Sequence, residues 1–123
     1  MTYNGKQFEM FGDIFNYALE LINEHKRDEA NDFFKAYVQY LYDENPRETV
    51  PTIDDALNFA KRNFGYFAGY YGDDVRKKVY DYFEAAHPIF GNHYNISAEA
   101  AFKAGYEMAV KRKNDTDDVK DTY

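Results

Sequence analysis

Three side chains that could act on an anion fall on one flank of a segment with helical spacing. Arg76, Tyr80 and His87 are separated by four and seven residues, and side chains at such intervals share one face of a helix. A guanidinium, a phenol and an imidazole on one surface can hold an anionic group or transfer protons. The alternative is a surface arginine beside a histidine that caps the carboxyl end of the helix, next to Pro88.

The segment NFGYFAGYYGDD, residues 63–74, is a second candidate site. It contains five aromatic rings and three glycines. On a helical projection, one stripe is predicted to lie in the core, and it consists of Ile53, Leu57, Ala60, Phe64, Phe67 and Tyr71. An outer stripe runs beside it. The outer stripe consists of Phe59, Asn63, Tyr66 and Tyr70. Because tyrosine combines a large apolar ring with a hydroxyl and is frequent in interfaces, Tyr66 and Tyr70 are candidate binding residues.

The glycines of this segment gather on the remaining side of the projected helix. Glycine inside a helix costs about 1 kcal/mol relative to alanine, so Gly65 and Gly69 indicate that something approaches the backbone closely. Either another helix of the same domain lies over them or a binding partner does. In the second case, Gly69 belongs to the binding site with Tyr66 and Tyr70.

Apolar residues at intervals of three and four predict five helices, and no segment shows the alternation of a half-buried strand. Caps and breakers set their limits. These limits are Phe8 to His25 for the first helix, Ala30 for the start of the second, Thr52 to Gly72 for the third, Pro88 after the fourth and Ser97 before the fifth. Together, the third and fourth helices approach the length of a tetratricopeptide repeat. A repeat of this kind is disfavoured, because Lys77 falls at the position where it requires a small residue. We therefore predict an all-α fold, a single compact bundle of about five helices.

The sequence of 123 residues predicts an ordered domain followed by a flexible tail. Residues 1–113 have the apolar periodicity of one helical domain, and a chain of this length can bury its own core. Residues 114–123, NDTDDVKDTY, have no periodicity and carry four acidic side chains. We expect this segment to be a flexible acidic tail.

Charge is distributed unevenly along the chain, whose net charge is −7. Residues 1–60 hold twelve acidic and five basic residues, whereas residues 61–113 hold six acidic and nine basic residues. An acidic protein is repelled by phosphate backbones, so nucleic acid is disfavoured as a partner. A related hypothesis is that the acidic first half imitates nucleic acid and occupies a basic groove of its target.

Several classes of site have no signature in the sequence. The chain contains no cysteine, so it has no disulfide or thiolate metal site. It lacks the common phosphate-loop, zinc-protease, nucleophile-elbow and calcium-loop patterns. Its first residues show no basic start followed by an apolar run, and no run of about 20 apolar residues occurs, so we expect no secretory leader. We expect a cytoplasmic protein without a membrane span, and we predict no cofactor, metal site or catalytic residue.

The run AKRNFGYFAGYYGDDVRKKVYDYFEAAHPIFG, followed by SAEAAFKAGYE, resembles a family of small proteins encoded on phages, prophages and integrative elements of Gram-positive bacteria. The resemblance covers residues 55–107 and rests on the GYFAGYY, HPIFG and AFxxG motifs. It implies no activity. The shared pattern includes Gly65, Tyr66, Tyr70, Tyr71, Arg76, His87 and Phe90.

Three functions are compatible with these patterns. The preferred one is a small protein-binding accessory or modulator protein of a mobile element, which uses the aromatic and glycine surface. The second is an acidic inhibitor that imitates nucleic acid. The third is a small enzyme or a direct nucleic-acid binder that uses Arg76, Tyr80 and His87.

Overall fold

Five helices follow a short amino-terminal hairpin in the part of the chain that the structure describes. The computed structural model describes the backbone of residues 1–86 and 98–122, and the side chains of residues 1–84 and 100–114. The elements are β1 (Thr2–Tyr3), β2 (Lys6–Gln7), α1 (Phe11–Asn23), α2 (Arg27–Glu44), α3 (Ile53–Tyr71), α4 (Asp73–Ala86) and α5 (Ala98–Thr122). The predicted all-α class and bundle of about five helices are confirmed.

The hairpin of β1 and β2 was not predicted from the sequence. Asn4 and Gly5 join its antiparallel strands with φ angles of 50° and 76°. Positive φ at both central residues is the geometry of a two-residue hairpin turn, and an Asn-Gly pair favours it. Phe8 was predicted to start the first helix, but it follows the hairpin, where its amide donates to the Met1 carbonyl at 2.7 Å. The hairpin thus places the Phe8 ring in the core.

Aromatic rings form most of the centre of the bundle. Phe64 of α3 is buried, and its ring centroid lies 5.2 to 5.9 Å from five other rings. These rings belong to Phe11, Phe15, Phe34, Tyr37 and Phe83. Most of the contacts are tilted or edge-to-face, the arrangement that the ring quadrupole favours. The core stripe predicted for the third helix is therefore correct at Phe64.

Tyr71 was predicted to be a core residue of the same stripe, and this prediction is wrong. Its side chain is 50% exposed at the carboxyl end of α3. The ring stacks on Phe15 at 5.3 Å between centroids, while the hydroxyl donates to Asn16 at 2.9 Å. The helix ends before a further element can cover it, so Tyr71 forms the rim of the core.

Both predicted limits of α3 are confirmed. Thr52 and Asp55 form a capping box, in which the Asp55 amide donates to Thr52 Oγ1 at 3.3 Å and the Thr52 amide donates to Asp55 Oδ2 at 3.1 Å. Gly72 ends the helix with a φ of 115°, a conformation that side chains disfavour. Since α4 begins at the next residue, this glycine sets the reversal between α3 and α4.

The closest helix contact in the fold is between α3 and α5. A Cβ atom added to Gly65 would overlap the Phe102 carbonyl oxygen and lie 2.9 Å from its carbonyl carbon. A Cβ atom added to Gly105 of α5 would likewise overlap the Arg62 carbonyl oxygen. The two backbones thus touch where neither helix has a side chain. Contacts advance along both helices together, from Gly65 with Phe102 to Gly69 with Ala109, so the helices run in the same direction.

The fifth helix is longer than the sequence predicted. It was expected to end near Lys113, but α5 runs to Thr122. The absence of apolar periodicity after Asn114 therefore does not mark the end of the helix. The flexibility of residues 114–123 stays a prediction, and the predicted signals at Pro88 and Ser97 lie outside the described residues. None of the described helices combines the length and the apolar character needed to cross a membrane.

We expect Gly65→Ala to lower the free energy of unfolding by about 1 to 3 kcal/mol, as overpacked interior contacts do. The new methyl group would meet the Phe102 backbone, which cannot turn away as a side chain can. This loss exceeds the gain of up to about 1 kcal/mol that alanine gives inside a helix. Urea unfolding followed by circular dichroism measures the difference.

Gly12→Ala is the matched control, because Gly12 also lies in a helix. A Cβ atom there meets only the Phe67 ring, at 3.6 Å, which is an ordinary contact. The control should unfold at the same or a slightly higher urea concentration than the wild type. If Gly65→Ala behaves like Gly12→Ala, α3 and α5 are not in backbone contact.

Candidate functional site

Two polar aromatic groups lie on opposite sides of α5. The first, called the tyrosine–arginine cluster, consists of Tyr66 and Tyr70 of α3 and Arg112 of α5. The second, called the Arg76 cleft, is lined by Arg76 and Tyr80 of α4 and by Phe102, Lys103 and Tyr106 of α5. The seating of α5 on the glycines of α3 therefore positions both groups.

The tyrosine–arginine cluster is held together by hydrogen bonds at the protein surface. The hydroxyls of Tyr66 and Tyr70 are 3.3 Å apart, and their rings meet edge-to-face with centroids 5.3 Å apart. Arg112 Nη1 donates to the Tyr66 hydroxyl at 3.1 Å. Hydrogen bonding to Tyr70, and then to Arg112, lowers the pKa of the Tyr66 phenol. Tyr70 is 43% exposed, so its ring is available for contact with another molecule.

Sequence reasoning found two of the three members of this cluster. It proposed Tyr66 and Tyr70 as binding residues, and the structure places them side by side. It did not identify Arg112 as a candidate. A signal was present, because Arg112 follows Gly105 and Ala109 at helical intervals and so shares the face of α5 that meets α3.

Gly69 is covered by α5, which decides between the two alternatives raised by the glycines. A Cβ atom at Gly69 would lie 2.7 Å from Ala109 Cβ and 3.1 Å from the Tyr106 carbonyl oxygen. The element that approaches this glycine closely is therefore a helix of the same domain. A partner therefore cannot contact Gly69 itself. Gly69 instead allows α5 to pack closely against α3 beside Tyr66 and Tyr70.

The Arg76 cleft has a volume of 210 Å³ between α4 and α5. The Arg76 guanidinium carbon lies 4.6 Å from the centre of the Tyr106 ring, a cation–π contact. The Tyr80 ring lies 5.8 Å from that of Phe102. Arg76 and Tyr80 are thus on one surface, as predicted, and Lys103 adds a second cation. His87, the third residue of that prediction, lies outside the described residues.

Lys61 is a buried titratable group that the sequence analysis did not identify. Only 1% of its surface is exposed. Burial lowers the pKa of its ammonium to about 8, while the Glu84 carboxylate acts in the opposite direction. The signal was its position, since Lys61 follows Leu57 by one turn and precedes Phe64 by three residues on the buried side of α3.

Comparison with known proteins does not assign the site. The chain matches no protein-family model and no solved structure. Among residues 1–84 and 100–114, no group of three or more His, Asp or Glu side chains could hold a metal ion. The two groups of side chains beside α5 are therefore the candidate sites.

The buried Lys61 predicts that stability rises with pH above about 8. Between the lowered pKa of about 8 and the ordinary value of 10.5, the unfolded chain holds a proton that the folded chain has lost. From pH 8 to 10, the wild type should gain on the order of 2 kcal/mol relative to Lys61→Met, because each unit of pKa difference is worth about 1.4 kcal/mol. Urea unfolding at several pH values measures the gain.

Lys35→Met, a change at an exposed lysine of α2, is the control and should keep the pH dependence of the wild type. The raised pKa values of the buried Tyr37 and Tyr82 lower the stability of both the wild type and Lys61→Met above about pH 10, so their contribution cancels in the comparison. Parallel pH curves for the wild type and Lys61→Met would show that Lys61 is not buried as a titrating ammonium.

Proposed function

We propose that the protein is a small protein-binding accessory or modulator protein of a mobile genetic element, and that it contacts its partner through the tyrosine–arginine cluster. The observation that carries this proposal is the hydrogen-bonded surface group of Tyr66, Tyr70 and Arg112. The mobile-element context is supported by the resemblance of residues 55–107 to proteins of phages and integrative elements. A cytoplasmic location accords with that context.

The chemistry of the cluster suits a protein partner. Tyrosine and arginine are enriched among the few residues that dominate binding energy in protein interfaces. The hydrogen bonds between Tyr66, Tyr70 and Arg112 restrict their side chains before binding. Binding then costs less side-chain entropy than ordering three independent side chains would. The backbone contact between α3 and α5 gives the cluster a rigid base, which also favours recognition.

The surface beside the cluster can extend the contact. One helical turn before Tyr66, Arg62 packs with its guanidinium carbon 4.6 Å from the centre of the Phe59 ring. A cleft of 340 Å³ lies beside these two residues, and Ala101 and Ala104 of α5 form part of its wall. Because these alanine side chains are small and apolar, the cleft can receive an apolar side chain. A partner could thus place a polar segment on the cluster and an apolar anchor in this cleft.

Capture of partners from a Gram-positive host lysate, followed by affinity measurement with the captured protein, tests the proposal. Tyr70→Ala and Arg112→Ala should each weaken binding by about tenfold or more, as the loss of interface anchors does. Both side chains are exposed, so the melting temperature should change little. Lys113→Ala, a change at the next cation of α5, is the control and should bind normally.

Two results would contradict the proposal. One is a captured protein that binds Tyr70→Ala and Arg112→Ala as tightly as it binds the wild type. The other is a complex whose affinity is unaffected by Tyr70→Ala and Arg112→Ala but falls steeply with salt concentration, and which free DNA displaces. That second result would support imitation of nucleic acid by the acidic side chains of residues 1–60 instead.

A further inference from the structure

We propose that the Arg76 cleft binds a small molecule that carries one oxyanion, a carboxylate or a phosphate, on an aromatic ring. This site lies on the other side of α5 from the tyrosine–arginine cluster and does not depend on the function proposed for that cluster. Its two cations come from different helices, Arg76 from α4 and Lys103 from α5. Two cations that converge on one cleft are suited to an oxyanion.

The contacts of the Arg76 guanidinium leave it able to bind a further acceptor. Its Nε atom is buried and has no hydrogen-bond partner among the described residues. Asp73 Oδ1 forms a long ion pair with this atom at 3.7 Å, which is beyond normal hydrogen-bond length, and the Asp73 side chain is 85% exposed. The Arg76 side chain as a whole is 39% exposed, so its solvent-accessible atoms, and not the buried Nε, are the ones that an oxyanion in the cleft can contact. The Tyr106 ring meanwhile fixes the guanidinium in position.

The aromatic side chains of the cleft favour a ligand with a ring. Tyr80 and Phe102 meet edge-to-face on one part of the lining, and Tyr106 lies under the Arg76 guanidinium. A flat apolar body can pack on such rings while its anionic group pairs with the cations. The volume of 210 Å³ is below the range of about 300 to 1,000 Å³ typical of drug-sized ligands. We therefore assign the cleft to a ligand of about one ring.

A larger cleft elsewhere is a weaker candidate for an anion. It has a volume of 550 Å³ and lies between the turn after α1 and helix α4. One of its cations, Lys78, already donates to Asn23 Oδ1 at 3.3 Å. Its lining also contains the Asp81 carboxylate, which pairs with Lys77 at 2.8 Å. That carboxylate would repel an anionic ligand, whereas the lining of the Arg76 cleft contains no acidic side chain among the described residues.

Titration of the full chain with phenyl phosphate and with benzoate, followed by amide chemical shifts, tests the site. We expect saturable shifts centred on Arg76, Lys103 and Tyr106. Arg76→Gln and Lys103→Gln should each weaken binding by about tenfold, as loss of a charged hydrogen bond does. Lys77→Gln, at an exposed lysine of α4 outside the cleft, should bind like the wild type. The stronger of the two probes identifies the anion that the cleft prefers.

Benzyl alcohol and inorganic phosphate separate the contributions of the ring and the anion. Each should bind at least about tenfold more weakly than phenyl phosphate if both parts are recognised. Arg76→Gln also loses its contact with Tyr106, so Lys103→Gln, at an exposed side chain, provides the test that leaves packing intact. Equal affinity for benzyl alcohol and phenyl phosphate, or equal weakening by Lys103→Gln and Lys77→Gln, would overturn the proposal. Because Tyr70→Ala should not alter these titrations, the result is independent of the protein-binding function.

Discussion

The backbone contact between α3 and α5 is the constraint on which the rest of the structure depends. Gly65 and Gly105 let each helix meet a carbonyl of the other, and Gly69 lets Ala109 approach one turn further along. Any side chain at these positions would push α5 outwards. Glycine destabilises the helix in which it lies, so the close packing of α3 against α5 must offset this loss of helix stability. Helix stability is thus lower locally in α3 and α5, but the two helices can pack together in only one arrangement.

This contact determines what each side of α5 can carry. On one side, Arg112 comes within hydrogen-bonding distance of Tyr66 only because no side chains separate the helices at Gly105. On the other side, Phe102 reaches the Phe83 ring in the core, with centroids 5.8 Å apart. Phe102 thereby ties α5 to α4 and leaves Lys103 at the edge of the cleft. One helix thus completes the core and contributes to both candidate sites.

Local rules predicted the parts of the fold that depend on neighbouring residues. The capping box at Thr52 and the reversal at Gly72 follow from short-range geometry, and both could be located from the sequence. The Asn4–Gly5 turn obeys an equally local rule and was missed because its strands are only two residues long. Arg112 was missed for a different reason. Its partner Tyr66 is 46 residues away, and only the packing of α3 against α5 brings them together.

Burial divides the tyrosines into two chemical groups that the sequence alone does not separate. Tyr37 is buried, accepts a hydrogen bond from Asn63 at 3.0 Å and has a pKa raised to about 12 by burial. Such a hydroxyl is occupied within the fold, and its ring stabilises the core. Tyr70 shares a hydrogen bond with the Tyr66 hydroxyl at the surface and presents 43% of its area to solvent. A stripe of rings at helical spacing therefore lies in the core where other elements cover it, and at the solvent-exposed surface where they do not.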